Sequence, residues 1–540
     1  MDFIFGTMAT DELKLLNHRL LLRGVHHGHD ITPLDPLPGQ AVTVGVRVGM
    51  DIAVEHVALI YTTDDSIPVG SRGVATNGMV LNMDEIKVTW DSLAWGFVRH
   101  FEVIVPAQED STVVRYIISA WKDGEDEIYA DYPDTKSMIE HTTAAHFAGK
   151  EAPTEFMTLP DVHVFNYHVD TFKPPKWSDD AVIYHVFVDR FYPGDGQTWK
   201  TPDNLMGFFG GTLWGVRDKL DYIADLGATC IWLSPVFVSE SHHGYDALDY
   251  YTVEPRLGGN EALKAVIEGA HARGIKVLLD LACNHVSSRH EIFQSALNDP
   301  ESKYRDWFTF DESALGYRAF FGVADLPELN VRNLEAKQWM IDIALFWLRE
   351  YQIDGYRLDY AHGCGPDFWT DFRKACRAVN PETLVFGEIV EAPDAQIKYY
   401  GRLDGALDFQ SEDVLRKRYG WGTMSKSEFE RFMAGHRAFY PEDFVMPTFL
   451  DNHDMDRFLF IAGGDKEKLR YAAQRQFSMR GIPVIYYGTE VGLTQEKSAR
   501  DEGWGLEVSR LPMLWGEAQD AELREFYKDL ISKRKAGLLE

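Results

Sequence analysis

Apolar and polar residues alternate along the first part of the chain. The alternation is clearest in two runs, at Val42, Val44, Val46 and Val48 and at Phe101, Val103 and Val105. Similar short runs follow at 113–120 and 162–169, with turn-rich pieces such as TDDSIPVG and WKDGEDE between the runs. Because the side chains of a strand point alternately to its two faces, each run predicts a strand with one buried face. Residues 1–172 are therefore predicted to form an antiparallel β-sandwich domain.

After a proline-containing linker at 171–180, the pattern changes to buried apolar strands that alternate with amphipathic helices. Eight candidate strands lie at 181–189, 229–237, 275–283, 353–360, 384–390, 404–409, 444–452 and 482–490. Apolar residues with helical spacing lie between them, at Leu263, Val266, Ile267 and Ala270, and at Met340, Ile343, Ala344, Trp347, Leu348 and Tyr351. Eight strand–helix units predict an α/β fold, a (β/α)8 TIM barrel over 179–540. A doubly wound open sheet is the alternative, and the lack of a GxGxxG after the first strand argues against it.

One connection of the predicted barrel is unusually long. The segment 286–332 lies between the third strand and a helix predicted to start near Asn333, and it contains the aromatic pieces DWFTF and YRAFF. Connections of this length are usually functional. We expect a small subdomain, inserted after barrel strand 3, that overhangs the barrel mouth. An ordinary solvated insertion is the alternative.

Charge and composition exclude several classes of partner. The chain has 54 basic and 84 acidic residues, a formal charge of −30, whereas proteins that bind nucleic acid or an anionic membrane surface need basic surface. No long apolar run and no basic-then-apolar leader is visible, so neither a membrane span nor a secretory signal is expected. The four cysteines include no CxxC pattern, which predicts reduced thiols rather than disulfides or structural zinc. A cytoplasmic location is expected.

Polar residues recur where the predicted barrel strands end. The third strand ends in DLACNH (280–285), the fourth in Arg357-Leu-Asp359, the fifth at Glu388 and the seventh in LDNHD (450–454). One such residue alone often only caps a helix. The carboxyl ends of barrel strands, however, share one rim, where catalytic groups lie. Three carboxylates with an arginine and histidines suit the cleavage of a glycosidic bond.

A retaining mechanism needs one ionised carboxylate as nucleophile and one protonated carboxyl as acid, about 5–5.5 Å apart. Arg357 lies two residues before Asp359, so the two side chains point to the same side of the strand. We expect the guanidinium to keep Asp359 ionised. Glu388 has no adjacent cation in the sequence, so desolvation and neighbouring carboxylates are expected to raise its pKa, as a general acid requires.

In these motifs the sequence resembles the α-amylase family of retaining α-glycoside hydrolases and transglycosylases. The resemblance extends from Asp180 to Lys533 and depends on DLACNH, GYRLD, FGEI and FLDNHD in this order, with support from HGYDALDYYTVEP and GIPVIYYGTE. It implies that Asp359 is the nucleophile, Glu388 the acid/base and Asp454 a stabiliser that binds sugar hydroxyls. It also implies a substrate-binding set at the cleavage subsite, consisting of Tyr245, His243, Asp246, His285, Arg357 and His453.

Within that family the chain is similar to cyclomaltodextrinases, neopullulanases and maltogenic amylases, through LPELN (326–330) and through a sandwich before the barrel. Two stretches depart from this subgroup. Tyr-Ala-His362-Gly363 follows Asp359 where the subgroup has an Asn-Glu pair, and Ile-Val-Glu follows Glu388 where a Trp is expected. Both stretches would line the leaving-group side. The preference for α-1,4 or α-1,6 bonds and the balance of hydrolysis against transfer therefore stay open.

The resemblance also bears on metals and on the end of the chain. Asn284 matches a calcium ligand of the family, but Gly363 stands where a histidine carbonyl would bind, and the loop near Asp195 is incomplete. We expect no metal ligands and no obligatory cofactor, with calcium as the alternative although its usual ligands are incomplete. We expect Asn284 to tie the insertion down by a hydrogen bond. The chain ends soon after the predicted eighth helix. The family's C-terminal β-domain is thus expected to be naturally absent or removed.

These expectations combine into an α-glucan hydrolase that acts on cyclodextrins, malto-oligosaccharides or pullulan. One alternative is a glucan transglycosylase that uses the same glycosyl-enzyme intermediate, and a remote one is a non-catalytic glucan-binding homologue. The resemblance implies that the sandwich is a carbohydrate-binding or dimerisation domain, so a homodimer is one expected assembly. Trp90, Trp95 and Trp121 are expected to pack in the sandwich core, with glucan stacking or an interface as alternatives.

Overall fold

A computed structural model describes residues 15, 18–132, 162–313, 315–501 and 505–539. Its N-terminal strands form two larger antiparallel sheets and a separate β5-β6 hairpin. The first has the order β1-β3-β9-β8 with β2 paired to β3, and the second has the order β11-β10-β4-β7 with β12 paired to β10. The bounds are β1 Val25–His26, β2 Ile31–Thr32, β3 Val42–Gly49, β4 His56–Thr62, β5 Val69–Ser71, β6 Val74–Asn77, β7 Met79–Asn82, β8 Asp84–Asp91, β9 Gly96–Val105, β10 Thr112–Trp121, β11 Ile128–Tyr129 and β12 Phe165–Val169.

The two sheets bury one shared core. Val44 and Val46 of β3 belong to the same buried cluster as Leu59 of β4 and Tyr116 of β10. Alternate residues of β3 are buried, as its period-two pattern predicts. The predicted N-terminal antiparallel sandwich is therefore confirmed. Its domain boundary at residue 172 and its role stay predictions.

The expectation for the three tryptophans is wrong for two of them. Trp121 is 8% exposed and packs as expected, but Trp90 is 48% exposed and Trp95 is 75% exposed. Trp90 lies on β8, an edge strand whose residues are mostly exposed. Trp95 lies in the turn before β9 with a φ of +53°. The sequence pattern does not distinguish an edge strand from a central one, because both alternate.

The second half of the chain closes a parallel barrel. Its strands are β13 Ile183–Val186, β14 Cys230–Leu233, β17 Lys276–Ala282, β18 Gly355–Asp359, β19 Leu384–Gly387, β20 Gly405–Ala406 and β21 Val484–Tyr486. They pair in the order β20-β19-β18-β17-β14-β13-β21. The predicted seventh strand is an extended segment, joined to β20 by the bridge Gly405–Val445 and to the last strand's side by Thr448–Pro483. The α/β fold and the TIM barrel are confirmed.

Helices cover the outside of the barrel. The principal ones are Leu213–Asp218, Leu220–Leu226, Gly259–His271, Glu291–Asn298, Leu334–Phe346, Gly365–Val379, Phe409–Leu415, Lys426–Phe439, Lys466–Phe477 and Ala521–Lys535. The predicted apolar face of Gly259–His271 is buried, and Met340, Ile343 and Ala344 of Leu334–Phe346 are buried as well. The helix Leu334–Phe346 begins after Asn333, whose side chain accepts hydrogen bonds from the next turn. Helical spacing therefore predicted these two helices correctly.

The connections after two strands build the rim of the barrel. After β14, the strands β15 (Phe237–Ser239) and β16 (Ala247–Val253) form an antiparallel hairpin. The long insertion contains the helix Glu291–Asn298 and short bridges such as Phe308–Leu329 and His285–Glu328. These bridges connect the insertion to the end of β17. The insertion after barrel strand 3 is thus confirmed, and its bounds at 286–332 stay a prediction.

The described part of the chain contains no helix that is both long and apolar enough to cross a membrane. All four cysteines are free thiols. Cys230, Cys283 and Cys376 are buried, and Cys364 is partly buried. The expectation of unpaired thiols is therefore confirmed.

Candidate active site

One buried guanidinium joins three carboxylates at the carboxyl ends of adjacent strands. Arg357 Nη1 lies 2.8 Å from Asp280 Oδ1 and 2.8 Å from Asp359 Oδ1, and Nη2 lies 2.7 Å from Glu388 Oε1. The parallel register places Asp280 beside Arg357, while Leu358 pairs with the residue before Glu388. Arg357 and Asp359 point to the same side of β18, as their spacing predicts. The strand pairing thus brings together groups that are far apart in the sequence.

Burial controls the charge of this cluster. Burial raises the pKa of Glu388 above its ordinary value, against the opposing effect of Arg357. Burial also raises the pKa of Asp359, and Glu388 and Asp280 add to the rise. The expectation that Arg357 alone keeps Asp359 ionised is therefore incomplete, because several carboxylates compete for one cation. The Asp359–Glu388 pair is suited to hold a proton.

Asp454 lies in a different electrostatic environment. Its Oδ2 is 3.0 Å from His453 Nε2, and its Oδ1 is 2.9 Å from Arg510 Nη2. Burial opposes ionisation, but His453 and Arg510 outweigh it and hold the pKa of Asp454 well below its ordinary value. Arg510 Nε also donates to the His453 carbonyl at 2.7 Å. Asp454 is therefore suited to stay ionised and to accept hydrogen bonds.

Sequence reasoning missed Arg510. It follows the short 3-10 turn Leu506–Ser509, outside the strand ends that were searched. A lone arginine in a loop carries no motif, and only the fold brings it 2.9 Å from Asp454. Trp232 was missed as well: its indole N–H donates to Asp280 Oδ2 at 2.9 Å. Trp232 is part of an apolar strand, so the pattern marked it as core.

Tyr245 links the two halves of the site. Its hydroxyl donates to Asp280 Oδ2 at 3.0 Å and lies 2.6 Å from His453 Nε2. Its ring is parallel to that of His453, with 5.5 Å between centroids. The His243 ring lies 5.9 Å away on a similar plane. Stacking of Tyr245 on a sugar stays a prediction.

The remaining predicted binding residues divide into two groups. His285 Nε2 lies 3.2 Å from the Tyr245 carbonyl, and His243 Nδ1 accepts from the Tyr245 N–H at 3.2 Å, so both are neighbours of the cluster. Asp246 is instead held within its own loop by the Ser241 hydroxyl. The structure brings together Asp359, Glu388, Asp454, Arg357, His453 and Tyr245, places His243 and His285 beside them, and ties Asp246 to the loop.

Aromatic residues of the insertion pack beside the cluster. Phe320 lies 4.9 Å from the Tyr360 ring and 5.1 Å from the His285 ring, measured between centroids. The Tyr360 amide donates to Glu388 Oε2 at 3.0 Å. His362 and Glu391, in the two stretches that depart from the resembling subgroup, face each other at 3.5 Å. The insertion therefore packs against the residues that follow β18 and β19, on one side of the carboxylate cluster.

Comparison with known proteins agrees with this architecture. The family model for the alpha-amylase catalytic domain matches residues 185–533. The chain belongs to the α-amylase family. It is 41% identical over 370 residues to Alpha-amylase 2 of Dictyoglomus thermophilum, a match that covers 68% of this chain and 65% of that protein, less than two thirds of its length.

Two further matches cover more of the chain. An intracellular maltogenic amylase of Bacillus subtilis strain 168 is 33% identical over 403 residues, which is 71% of this chain and 67% of that protein. A solved structure named cyclomaltodextrinase is 27% identical with a TM-score of 0.63, and it covers 96% of this chain and 85% of that one. The last match includes the sandwich as well as the barrel.

Calcium binds some members of the α-amylase family, but the residues here do not fit it. A Cβ atom on Gly363 would lie 2.0 Å from Asn284 Oδ1, so the Asn284 carboxamide lies directly against Gly363. The hydrogen bond that joins position 284 to the insertion comes from its backbone: the Asn284 main-chain carbonyl accepts from the Leu329 N–H at 2.9 Å. Asp195, in the other incomplete loop, is 3.1 Å from Arg217 Nη2.

Proposed function

We propose that this chain is a retaining α-glucan hydrolase acting on malto-oligosaccharides, cyclodextrins or pullulan. The observation that carries the proposal is the single guanidinium of Arg357 shared by Asp359 and Glu388. Two carboxyls on one guanidinium lie near each other, as a mechanism requires in which one carboxylate attacks and the other donates a proton. The similar proteins named maltogenic amylase and cyclomaltodextrinase support this substrate class.

In the proposed mechanism, Glu388 carries the proton of the carboxyl pair to the glycosidic oxygen while Asp359 attacks the anomeric carbon. The bond to the leaving sugar breaks and a glycosyl–Asp359 ester forms. Glu388, now ionised, then takes a proton from water, which displaces Asp359. Asp454 stays ionised and accepts hydrogen bonds from sugar hydroxyls, which strengthens binding as the ring distorts. His453 and Tyr245 lie beside the carboxylates of the site, and His285 lies beside Tyr245.

Stereochemistry tests this proposal directly. Proton NMR of maltotriose or β-cyclodextrin hydrolysis should show the α-anomer as the first product, before mutarotation. Glu388→Gln should lower kcat by about 10²–10⁴-fold, because the leaving group loses its acid. Asp359→Ala should abolish any trapped covalent intermediate. An initial β-product, or wild-type turnover by Glu388→Gln, would contradict the mechanism.

Chromatography of the products separates hydrolysis from transfer. The panel consists of β-cyclodextrin, pullulan, starch, maltotriose and sucrose. A hydrolase gives shorter sugars only, whereas a transglycosylase also gives products longer than the substrate. The α-1,4 or α-1,6 preference follows from the pullulan fragments. Absence of any product from the whole panel would support a non-catalytic homologue.

We further propose an intracellular location, which the similar Bacillus subtilis enzyme of that description supports. A homodimer through the sandwich is the proposed assembly. Its support is an exposed aromatic face on β8 and β9, where Trp90 lies 5.3 Å from Trp95 and 4.9 Å from Phe97. Sedimentation at micromolar concentration should show a dimer, and Trp95→Ser should shift it to monomer. A wild-type monomer would rule out this assembly.

A further inference from the structure

One carboxylate of the barrel is held almost entirely by the sandwich. Asp367 lies in the first turn of the helix Gly365–Val379, which follows β18. Its Oδ2 accepts from His29 Nε2 and from His163 Nε2, each at 2.8 Å. Its Oδ1 accepts from the Asn166 N–H at 2.7 Å, and its carbonyl accepts from Asn166 Nδ2 at 3.0 Å. Four hydrogen bonds thus join the sandwich to one residue of the barrel.

Helix capping does not account for this arrangement. An acidic residue in a first helical turn often serves the free N–H groups of its own helix. The helix Gly365–Val379 has Cys364 as its N-cap residue, without a side-chain cap, and the Asp367 carboxylate contacts the sandwich instead. Burial opposes ionisation of Asp367, but His29 and His163 outweigh it and hold its pKa well below the ordinary value. The carboxylate is therefore an interdomain anchor.

The anchor belongs to a larger charge network. His163 Nδ1 lies 3.2 Å from Asp131 Oδ1, and Asp131 lies 3.1 Å from Arg332 Nη2, at the end of the insertion. Asp371, one turn after Asp367, is 2.8 Å from Arg115 of β10 and 2.5 Å from Lys337. Both carboxylates of the helix thus face the sandwich.

The helix that carries Asp367 is also connected to Glu388, the proposed acid/base, through the turn 360–364. Trp369 of the same helix donates through Nε1 to the Ala361 carbonyl at 2.8 Å. The Ala361 N–H donates to the Glu388 carbonyl at 2.9 Å, and the Tyr360 N–H donates to Glu388 Oε2 at 3.0 Å. Tyr360 has a φ of +39°, a strained value for a residue with a bulky side chain, so the surrounding structure must hold it. The turn 360–364 therefore fixes Glu388 from two sides.

We propose that Asp367 is a positioning residue for Glu388. The sandwich, through His29, His163 and Asn166, fixes the first turn of the helix. The helix holds the turn 360–364, and the amide of Tyr360 orients the Glu388 carboxyl. This inference rests on the proposed function, because it assigns a task to Glu388 as the acid/base. It makes the sandwich a part of the catalytic apparatus of its own chain.

The experiment compares Asp367→Asn with Asp371→Asn in the full-length chain. Both substitutions remove one carboxylate charge at the same interface and on the same helix, but only Asp367 lies next to the turn. Asp367→Asn should lower kcat about 10-fold with KM changed less than twofold. It should also shift the basic limb of kcat/KM, which reports the pKa of the acid/base. Asp371→Asn should keep kcat and the pH profile within twofold.

A second variant, His163→Asn, tests the same inference if Asp367→Asn does not fold. If Asp367→Asn does not fold, His163→Asn removes one of the hydrogen bonds to Asp367 and keeps the carboxylate. It should give a smaller change of the same kind. An unchanged pH profile in the variant that folds, with only a lower melting temperature, overturns the inference and makes Asp367 a purely structural residue.

The two proposals fail in different ways. A wild-type chain inactive on every α-glucan, or one unaffected by Glu388→Gln, contradicts the proposed function. A wild-type chain that is active and loses activity in Glu388→Gln, while Asp367→Asn behaves like Asp371→Asn, contradicts only the positioning role.

Discussion

Individual side chains of the site differ in charge because their partners differ. Arg357 is fully buried and contacts three carboxylates, whereas Asp454 has two basic neighbours of its own. An unpaired buried ion is disfavoured by several kcal/mol. The first group therefore tends to keep a proton, and Asp454 tends to lose one. An acid and an ionised carboxylate thus coexist in one site.

Arg510 is one of the two basic neighbours on which the ionisation of Asp454 depends. Both side chains are buried, so Arg510→Met leaves a carboxylate without one of its cations. We expect the free energy of unfolding to fall by about 3–5 kcal/mol at pH 7, together with a loss of activity. Urea unfolding at several pH values tests this, with the exposed Arg500→Met as control.

The difference in unfolding free energy between the wild type and Arg510→Met should depend on pH, because the pKa of Asp454 is shifted. The pKa of Asp454 is lowered in the folded protein, so its contribution to stability is present above the unfolded pKa of about 3.9 and is lost as the pH falls further. The gap between the wild type and Arg510→Met should therefore narrow below about pH 4. A gap that is the same at pH 7 and pH 3 would show that Arg510 acts through packing alone.

At the scale of elements, the closure of the barrel depends on close backbone approach. The predicted seventh strand has few ladder bonds, yet it joins β20 to the last strand through the bridges at Val445 and Thr448. Its apolar pattern was read correctly, but pattern cannot show how many ladder hydrogen bonds form. The predicted strands also extend past the observed ones at their carboxyl ends: β18 ends at Asp359 and β19 ends at Gly387, so Glu388 follows its strand.

Gly405 tests this closure. A Cβ atom at Gly405 would lie 1.8 Å from the Val445 carbonyl oxygen, so Gly405→Ala must push β20 and the seventh segment apart. We expect stability to fall by about 1–3 kcal/mol. Gly435→Ala is the matched control, because Gly435 lies exposed within the helix Lys426–Phe439 with nothing near its Cβ position. It should stabilise by about 0.5–1 kcal/mol.

Urea or thermal midpoints of the two alanine variants provide the measurement. The midpoint should fall in Gly405→Ala and rise in Gly435→Ala, although both variants add the same methyl group. Equal shifts in the two variants would mean that the contact between Gly405 and Val445 does not limit the approach of the strands.

At the scale of the whole molecule, buried histidines make the free energy of unfolding depend on pH. Burial lowers the pKa of several of them in both halves of the chain, namely His27, His185, His242 and His243. The unfolded chain binds a proton on each near pH 6.5, and the folded chain does not. Each therefore contributes stability that is present above pH 6.5 and is lost as the pH falls.

His27 allows a measurement on a single group. It is fully buried in the sandwich, 2.6 Å from the Gly45 carbonyl and 2.8 Å from the Tyr116 hydroxyl, and its pKa is lowered to about 3. Wild-type stability should lose about 2 kcal/mol through His27 between pH 6.5 and pH 5. His27→Gln should remove that part of the slope, whereas His56→Gln, at an exposed position, should not.

The measured quantity is the change in unfolding free energy between pH 7.5 and pH 5, not its absolute value, since His27→Gln also removes hydrogen bonds. An unchanged slope in His27→Gln would show that this histidine is protonated in the folded protein.

The sequence by itself determined that this protein has a sandwich followed by a barrel, the topology of the barrel, and which polar residues lie at its strand ends. It could do so because burial repeats with the period of each element, and because parallel strands bring their carboxyl ends to one rim. Asp359, Glu388 and Asp454 could therefore be predicted from the sequence as neighbours on that rim. Arg510, His29 and Asp367 were not, since their partners lie 56, 338 and 201 residues away. Their roles, the exposure of Trp95 and the proton balance of the site depend on distances and burial, which only the tertiary structure decides.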